Sequence, residues 1–228
     1  LTTLQDHTYI FYSVSWSPDG TKLASGSRDK TIRIWEVASG KTLLTLQGHT
    51  EAVSSVSWSP DGTKLASSSS DKTIRIWEVA SGKTLTTLQG HTEAVSSVSW
   101  SPDGTKLASG SLDNNTVRIW EVTSGKILAT LQGHTESVNS VSWSPDGTKL
   151  ASGSSDNTVR IWEVTSGKTL TIIPGHPTED PISSQIGSVQ WSSDSTKLAF
   201  GSIGYIDIWE VTSEKTLVTI KPSTICSV

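Results

Sequence analysis

The 228-residue sequence predicts an all-β fold: five four-stranded antiparallel units set side by side around a common axis. Three observations carry that expectation. The first is a repeat. Ten Trp fall into two series of five: Trp16, Trp58, Trp100, Trp143 and Trp191, then Trp35, Trp77, Trp120, Trp162 and Trp209. The first series steps by 42, 42, 43 and 48 residues, and the five His keep nearly the same beat. A period of this size is the signature of a repeat architecture. The second is punctuation: turn residues interrupt the chain every 8–12 residues, and no segment carries a 3.6-residue apolar stripe. The third is a run that is apolar on both faces, so its sheet needs cover on both sides. Identical neighbours supply that cover.

One period, residues 41–82, shows the elements in order. Thr42–Leu46 is an outer strand, which Gly48-His49-Thr50-Glu51 ends. Val53–Trp58 is the next strand, closed by Ser59-Pro60-Asp61-Gly62, where Asp-Gly supplies the positive φ of a tight turn. Leu65–Ser69 is a short strand of small residues, and Ser70-Asp71-Lys72 turns it. Thr73–Val79 (T-I-R-I-W-E-V) is the richest strand: Ile74 and Ile76 share one face, and Trp77 and Val79 alternate with them. Ala80-Ser81-Gly82-Lys83 turns toward the next copy.

Composition bounds the function. A net charge of −4 leaves no basic excess for a phosphate backbone, which argues against nucleic acid. The Trp content sets the chain apart from disordered sequences. Cys226 is the lone cysteine, so neither an intramolecular disulfide nor a cysteine-based metal site is expected, and a reducing, cytoplasmic setting is. The longest apolar runs fall far short of 18 residues, so no membrane span is expected, and no secretory leader is visible. The chain contains no Met, which suggests a processed product or a piece of something longer. The His lack ligand spacing and no helix opens on a glycine-rich loop, so neither metal nor cofactor is expected.

The recurring G-H, W-S-P-D-G-T-K-L-A-S-G-S-x-D and I-R-I-W-E segments resemble the Trp-Asp (WD) repeat family of β-propellers. The resemblance covers nearly the whole chain as one domain, with repeats at about 5–46, 47–88, 89–131, 132–173 and 174–220. One departure is uniform: Glu follows the Trp where the family name has Asp. The resemblance implies a five-bladed propeller and a buried hydrogen-bonded tetrad of His, Ser, Asp and Trp in each blade. The sets are His7, Asp29 and Trp35; His49, Asp71 and Trp77; His91, Asp113 and Trp120; and His134, Asp156 and Trp162. The fourth member is one of two Ser in each second strand: Ser25 or Ser27, Ser67 or Ser69, Ser109 or Ser111, Ser152 or Ser154. Read as chemistry, Ser-His-Asp suggests a nucleophilic triad. An active site is needed once, however, and this set recurs, so a structural role is expected.

The fifth repeat departs. His176 and Trp209 remain, but the Asp position reads Gly204, the first Ser position reads Phe200, and W-S-P-D-G has become W-S-S-D-S. Residues 177–182 add a Pro- and acid-containing segment. A broken tetrad and a longer mobile loop are expected, either as drift in a terminal repeat or as a binding feature.

Near-identical repeats make their differences informative. The second residue after the His reads Tyr9, Glu51, Glu93 and Glu136 in the first four repeats. Three positions on stand Tyr12, Ser54, Ser96 and Asn139, and just before the Asp stand Arg28, Ser70, Leu112 and Ser155. Tyr9, Tyr12, Arg28, Glu51, Leu112 and Asn139 are therefore the candidate contacts for a partner, because aromatics and Arg dominate binding hot spots. Alternatively, residues 9–12 cover an open edge or meet a missing neighbour. Residues 1–4 and 216–220 both resemble the outer strand, one more copy than five blades need. A closed ring, an open arc completed by a second chain, and a piece of a longer ring all fit. By resemblance, the expected function is a non-catalytic scaffold that binds a protein or peptide on its loop face, as the sensing part of a larger signalling protein. A small-molecule or glycan binder with pockets between blades is the alternative.

Overall fold

The computed structural model describes residues 6–112, 115–176 and 185–221. They form twenty strands in five antiparallel sheets of four, each sheet made of consecutive strands in sequence order. The first is β1 (Phe11–Trp16), β2 (Lys22–Ser27), β3 (Ile32–Glu36) and β4 (Thr42–Leu46). The second is β5 (Val53–Trp58), β6 (Lys64–Ser69), β7 (Ile74–Glu78) and β8 (Thr84–Leu88). The third is β9 (Val95–Trp100), β10 (Lys106–Ser111), β11 (Val117–Glu121) and β12 (Ile127–Leu131). The fourth is β13 (Val138–Trp143), β14 (Lys149–Ser154), β15 (Thr158–Glu163) and β16 (Thr169–Pro174). The fifth is β17 (Ser188–Trp191), β18 (Lys197–Ser202), β19 (Tyr205–Glu210) and β20 (Lys215–Ile220). No helix occurs among the described residues.

Local chemistry explains the blade. In the first hairpin, Ser17 Oγ donates to Asp19 Oδ1 at 2.6 Å, and Asp19 accepts the Thr21 amide at 3.0 Å. Those hydrogen bonds, Ser17 first, hold the Asp19 carboxyl down to about 2. The same Ser–Asp–Thr device recurs at Asp61, Asp103, Asp146 and Asp194. A bulge between Val53 and Ser55 explains a spacing that strict alternation does not. It turns Val53, Val56 and Trp58 onto one face.

That face seals the joint with the preceding blade. Ala24, Ile32, Ile34 and Leu46 of the first blade pack on Val53, Val56, Trp58, Leu65 and Trp77 of the second. Three further clusters of similar composition join the second to the third, the third to the fourth and the fourth to the fifth, the last with Phe200 in place of a second buried Trp. Burying each Val, Leu or Ile stabilises by about 1.5–3 kcal/mol, so the joints hold the structure together. Polar pairs set their register. The amides of Val56, Val98, Val141 and Val189 donate to Ser13, Ser55, Ser97 and Ser140 Oγ of the blade before. Trp58, Trp100 and Trp191 donate Nε1–H to the Ser15, Ser57 and Ser142 carbonyls.

The row of blades is open. Trp16 is 59% exposed where Trp58 is 7%, and Val14 is 54% exposed where Val56 is 4%. At the other end, Ile206 and Ile220 are 49% and 51% exposed where Ile74 and Leu46 are 0% and 2%. Among the described residues no core cluster joins the fifth blade to the first. Of the two candidate outer strands, the C-terminal one pairs with β19 as β20. Residues 1–4 lie outside the described residues.

Candidate partner-binding face

Each blade presents its His loop and Asp turn on the same face. A backbone hydrogen bond ties them: Arg28 N donates to the Ile10 carbonyl, Ser70 N to Ala52, Leu112 N to Ala94 and Ser155 N to Ser137. Beneath this tie runs a chain of side chains. Trp35 Nε1 donates to Ser25 Oγ at 2.8 Å, and Ser25 lies 2.7 Å from His7 Nε2. His7 Nδ1 meets Asp29 Oδ2 at 2.8 Å. Indole N–H only donates, so the Ser hydroxyl proton goes to Nε2, and Nδ1–H goes to the carboxylate. The second blade repeats the chain through Trp77, Ser67, His49 and Asp71, and the fourth through Trp162, Ser152, His134 and Asp156. In the third, Trp120, Ser109 and His91 are joined, and Asp113 lies outside the described residues. The first Ser of each pair is the member, a choice that residue types alone left open. The second Ser ties the loop: Ser69 Oγ donates to the Glu51 carbonyl and accepts the Asp71 amide.

Electrostatics follow from this geometry. Burial alone would raise the Asp29 carboxyl, but hydrogen bonds from Thr31 and His7 outweigh it and hold it down to about 2. Asp71 and Asp156 are held well below the usual carboxylate range in the same way. The Gly of the G-H pair has a steric reason. A Cβ at Gly48 would sit 2.9 Å from Arg75 Nη1 and 3.1 Å from Trp77 Cη2.

The arrangement resembles a triad but is poorly placed for attack. Ser67, Ser109 and Ser152 are buried, with the Oγ held between an indole and an imidazole.

The fifth blade builds something else. Phe200 is buried where Ser stands elsewhere, and Trp209 Nε1 has no partner. His176 is nevertheless paired: Nε2 lies 3.0 Å from Asp207 Oδ1, and Thr219 Oγ1 donates to the same oxygen at 2.6 Å. The His176 ring stacks on Tyr205 at 4.6 Å, with Lys221 Nζ 5.7 Å from the Tyr205 ring. The tetrad is broken here, and the His is re-paired through a carboxylate at the position of Arg33, Arg75, Arg118 and Arg160. Asp in an otherwise uniform Arg column was the signal that sequence reasoning missed. The inserted segment falls largely in residues 177–184, outside the described residues.

The candidate contact residues are spread over four blades. Tyr9, Tyr12 and Arg28 are exposed on the first, with Arg28 beside the Ile10 backbone. Glu51 is exposed on the second, 3.4 Å from Lys30 Nζ, and Glu93 lies 3.6 Å from Lys72 Nζ, so part of the acidic rim is paired. Such exposed pairs contribute about 0–1 kcal/mol. Leu112 is exposed on the third. On the fourth, the Asn139 amide donates to Ser155 Oγ and the Ile186 carbonyl, which engages it in the joint with the fifth blade.

Depressions elsewhere are shallow. Two equivalent hollows of about 450 and 470 Å³ lie at Val37, Ala38 and Leu43 and at Val79, Ala80 and Leu85. A cleft of about 130 Å³ lies between the first two blades at Pro18 and Trp58. Ligand pockets run to about 300–1,000 Å³, so that cleft is small, whereas a hollow of about 510 Å³ lies between the third and fourth blades at Leu128, Ala129 and Val164.

Sheets of four stacked through identical joints, with a polar chain under each loop, define a WD-type repeat scaffold. A family model described as "WD domain, G-beta repeat" matches residues 1–36, 40–78, 82–121 and 125–163, and the chain belongs to that family. Domains of this family generally serve as non-catalytic protein-interaction scaffolds. The chain is 55% identical over 38 residues to vegetative incompatibility protein HET-E-1 of Podospora anserina, covering 17% of this chain and 3% of that protein. It is 50% identical over 38 residues to protein HIRA of Oryza sativa subsp. japonica, covering 17% and 4%. It is 51% identical over 37 residues to a ribosome biogenesis protein BOP1 homolog of Drosophila virilis, covering 16% and 5%. The similarity therefore spans a small part of each relative.

Proposed function

We propose that this chain is a non-catalytic interaction module that binds a protein or peptide on the face carrying the His loops and Asp turns. Tyr9, Tyr12 and Arg28 form the centre of the contact, with Glu51 and Leu112 around it, while Asn139 is engaged in the joint with the fifth blade. One observation carries the reading. At positions where the other repeats hold Glu, Ser, Asn and Leu, the first blade holds exposed aromatics and an Arg, and the Arg28–Ile10 backbone tie keeps the two loops together. Aromatics and Arg contribute most per residue at interfaces, while rim charges contribute little. The buried polar chains then act as stiffeners that hold the loops still. The relatives carry this repeat as a few per cent of a longer protein, which supports the reading of a recognition module within a larger, signalling protein.

The alternative glycan reading has two observations in its favour, the hollow between the third and fourth blades and the exposed Trp16. The equivalent Trp58 and Trp100 lie in joints, so a missing neighbour explains that exposure more simply. Selection of peptides from a random display library on the immobilised domain tests the proposal. Tyr12→Ala and Arg28→Ala should each weaken the selected peptide about 10-fold, or about 1.4 kcal/mol. Peptides that bind both variants as tightly as the parent chain would overturn the assignment of this face.

A further inference from the structure

The two ends of the row are the two halves of one joint, and we infer that two copies of this chain pair head to tail, the first blade of one on the fifth blade of the other. This goes beyond the loop-face reading and uses different side chains.

The four internal joints show what each half accepts. The following blade brings a Val or Ile, a second Val, a Trp and a Leu, as in Val53, Val56, Trp58 and Leu65. The first blade carries the same set at Phe11, Val14, Trp16 and Leu23, the first three of them exposed. The preceding blade offers Ala24, Ile32, Ile34 and Leu46. The fifth carries Ala199, Ile206, Ile208 and Ile220, none of them buried in the way their equivalents are. Both halves lie on one molecule, so each copy offers what the other lacks.

The polar register is also in place. Inside the molecule, Val amides donate to a Ser Oγ of the preceding blade, and Trp Nε1–H to a carbonyl two residues further on. On the fifth blade those acceptors are Ser188 Oγ and the Gln190 carbonyl, both residues exposed. The Val14 amide and Trp16 Nε1–H are the matching donors.

A glycine adds an independent sign. A Cβ at Gly26, Gly110 or Gly153 would sit 2.7, 2.7 or 2.5 Å from Val53, Val138 or Ile186 of the next blade. Ser68 takes the same position in the second blade and is fully buried, so the joint keeps a small residue there. Gly201 holds the same position in the fifth blade, with only atoms of its own blade near: Tyr205 O at 3.5 Å and Ile206 Cγ1 at 3.9 Å. Glycine weakens a strand interior. The small residue at 201 leaves room for a docking side chain, here Phe11.

The rim fits as well. Lys30–Glu51 and Lys72–Glu93 cross the first two joints. At the ends Tyr9 replaces the Glu, and Ile203-Gly204-Tyr205 replaces the Lys-bearing turn, so no charge is left unpaired there. Tyr9 stays at the rim, as Glu51 does, and remains open to a partner on the loop face. A joint of this kind is heterologous: two copies close on each other, or successive copies grow a chain.

Light scattering on a size-exclusion column tests this with the whole 228-residue chain. The parent chain should gain mass with concentration above 24.4 kDa. Trp16→Asp blocks one half and Ile206→Asp the other, and each variant alone should stay single. Mixed in equal amounts they retain one good half each, so they should form a dimer of twice the chain mass that grows no further. Both positions are exposed, and thermal melts matching the parent chain under dilute conditions verify the fold. Val14→Asp and Gly201→Leu replace any variant that fails. The inference is overturned by a parent chain that stays single at every concentration, by a variant that pairs with itself, or by a mixture that stays single.

Discussion

Trp58 and Trp16 stand in the same local sequence, S-V-S-W-S-P-D-G, and meet opposite environments. Trp58 is sealed against the first blade and donates to the Ser15 carbonyl, whereas Trp16 faces solvent. The inner blades and the end blades differ in neighbours far more than in residues. The comparison separates two levels of information. A repeat specifies its own four strands, turns and polar chain. The value of its apolar faces is set by whichever blade lies alongside, as expected where stability is a sum of unit and nearest-neighbour contributions.

The largest expected contrast lies in the third strand. Trp77 is buried and bonded to Ser67, while Trp209 is half-buried with an unpartnered indole nitrogen. Trp77→Ala should cost about 3–5 kcal/mol in urea unfolding and Trp209→Ala about 1–2. Equal costs would mean that the fifth blade is as well packed as the second. Next come the histidines. His49→Ala strands a buried Ser67 hydroxyl and the Asp71 carboxylate and should cost about 2–3 kcal/mol. His176→Ala removes a partly exposed pair and should cost about 1 kcal/mol or less. Thermal melts of both variants check this.

A smaller contrast concerns glycine. Gly110→Ala drives a methyl into Val138 and should destabilise by about 1–3 kcal/mol. Gly201→Ala meets only ordinary van der Waals contacts within its own blade and should be neutral or stabilising by about 0.4–1 kcal/mol in the single chain. Comparable losses at both sites would show that the fifth blade is already covered. The smallest effect is acid sensitivity. The Asp29 carboxyl is lowered from 3.8 to about 2 on folding. A depressed carboxyl stabilises above its unfolded value, and that contribution fades as pH falls through the folded one. Stability should therefore drop between about pH 4 and about pH 2, and Asp29→Asn should flatten the fall in an acid titration of the fluorescence.

Much of this was legible in the sequence because repetition displays the pattern several times over. The turns at Asp19, Asp61, Asp103 and Asp146 and the four strands follow from residue types at fixed offsets, and the His–Asp–Trp chains follow from the family resemblance. Three features were not. Ser67 and Ser69 share one face of β6, so alternation does not separate the one that meets His49 and Trp77 from the one that ties the loop backbone. The re-pairing of His176 with Asp207 joins a loop residue to a position in β19, in a blade that has lost its usual partners. The open ends depend on blade curvature, and two outer-strand copies left open ring, arc and fragment alike. The loop-face contacts were only partly readable: Arg28 and Tyr9 stood out as oddities, but Asn139 looked equally odd and is engaged in a joint.

The most direct test is a pair of substitutions at one repeat position. Under conditions where copies are apart, Trp58→Ala should lower the unfolding free energy by about 3–5 kcal/mol, and Trp16→Ala by less than about 1. Equal losses at the two positions would contradict the account, because Trp16 would then have a neighbouring blade and the row would be closed.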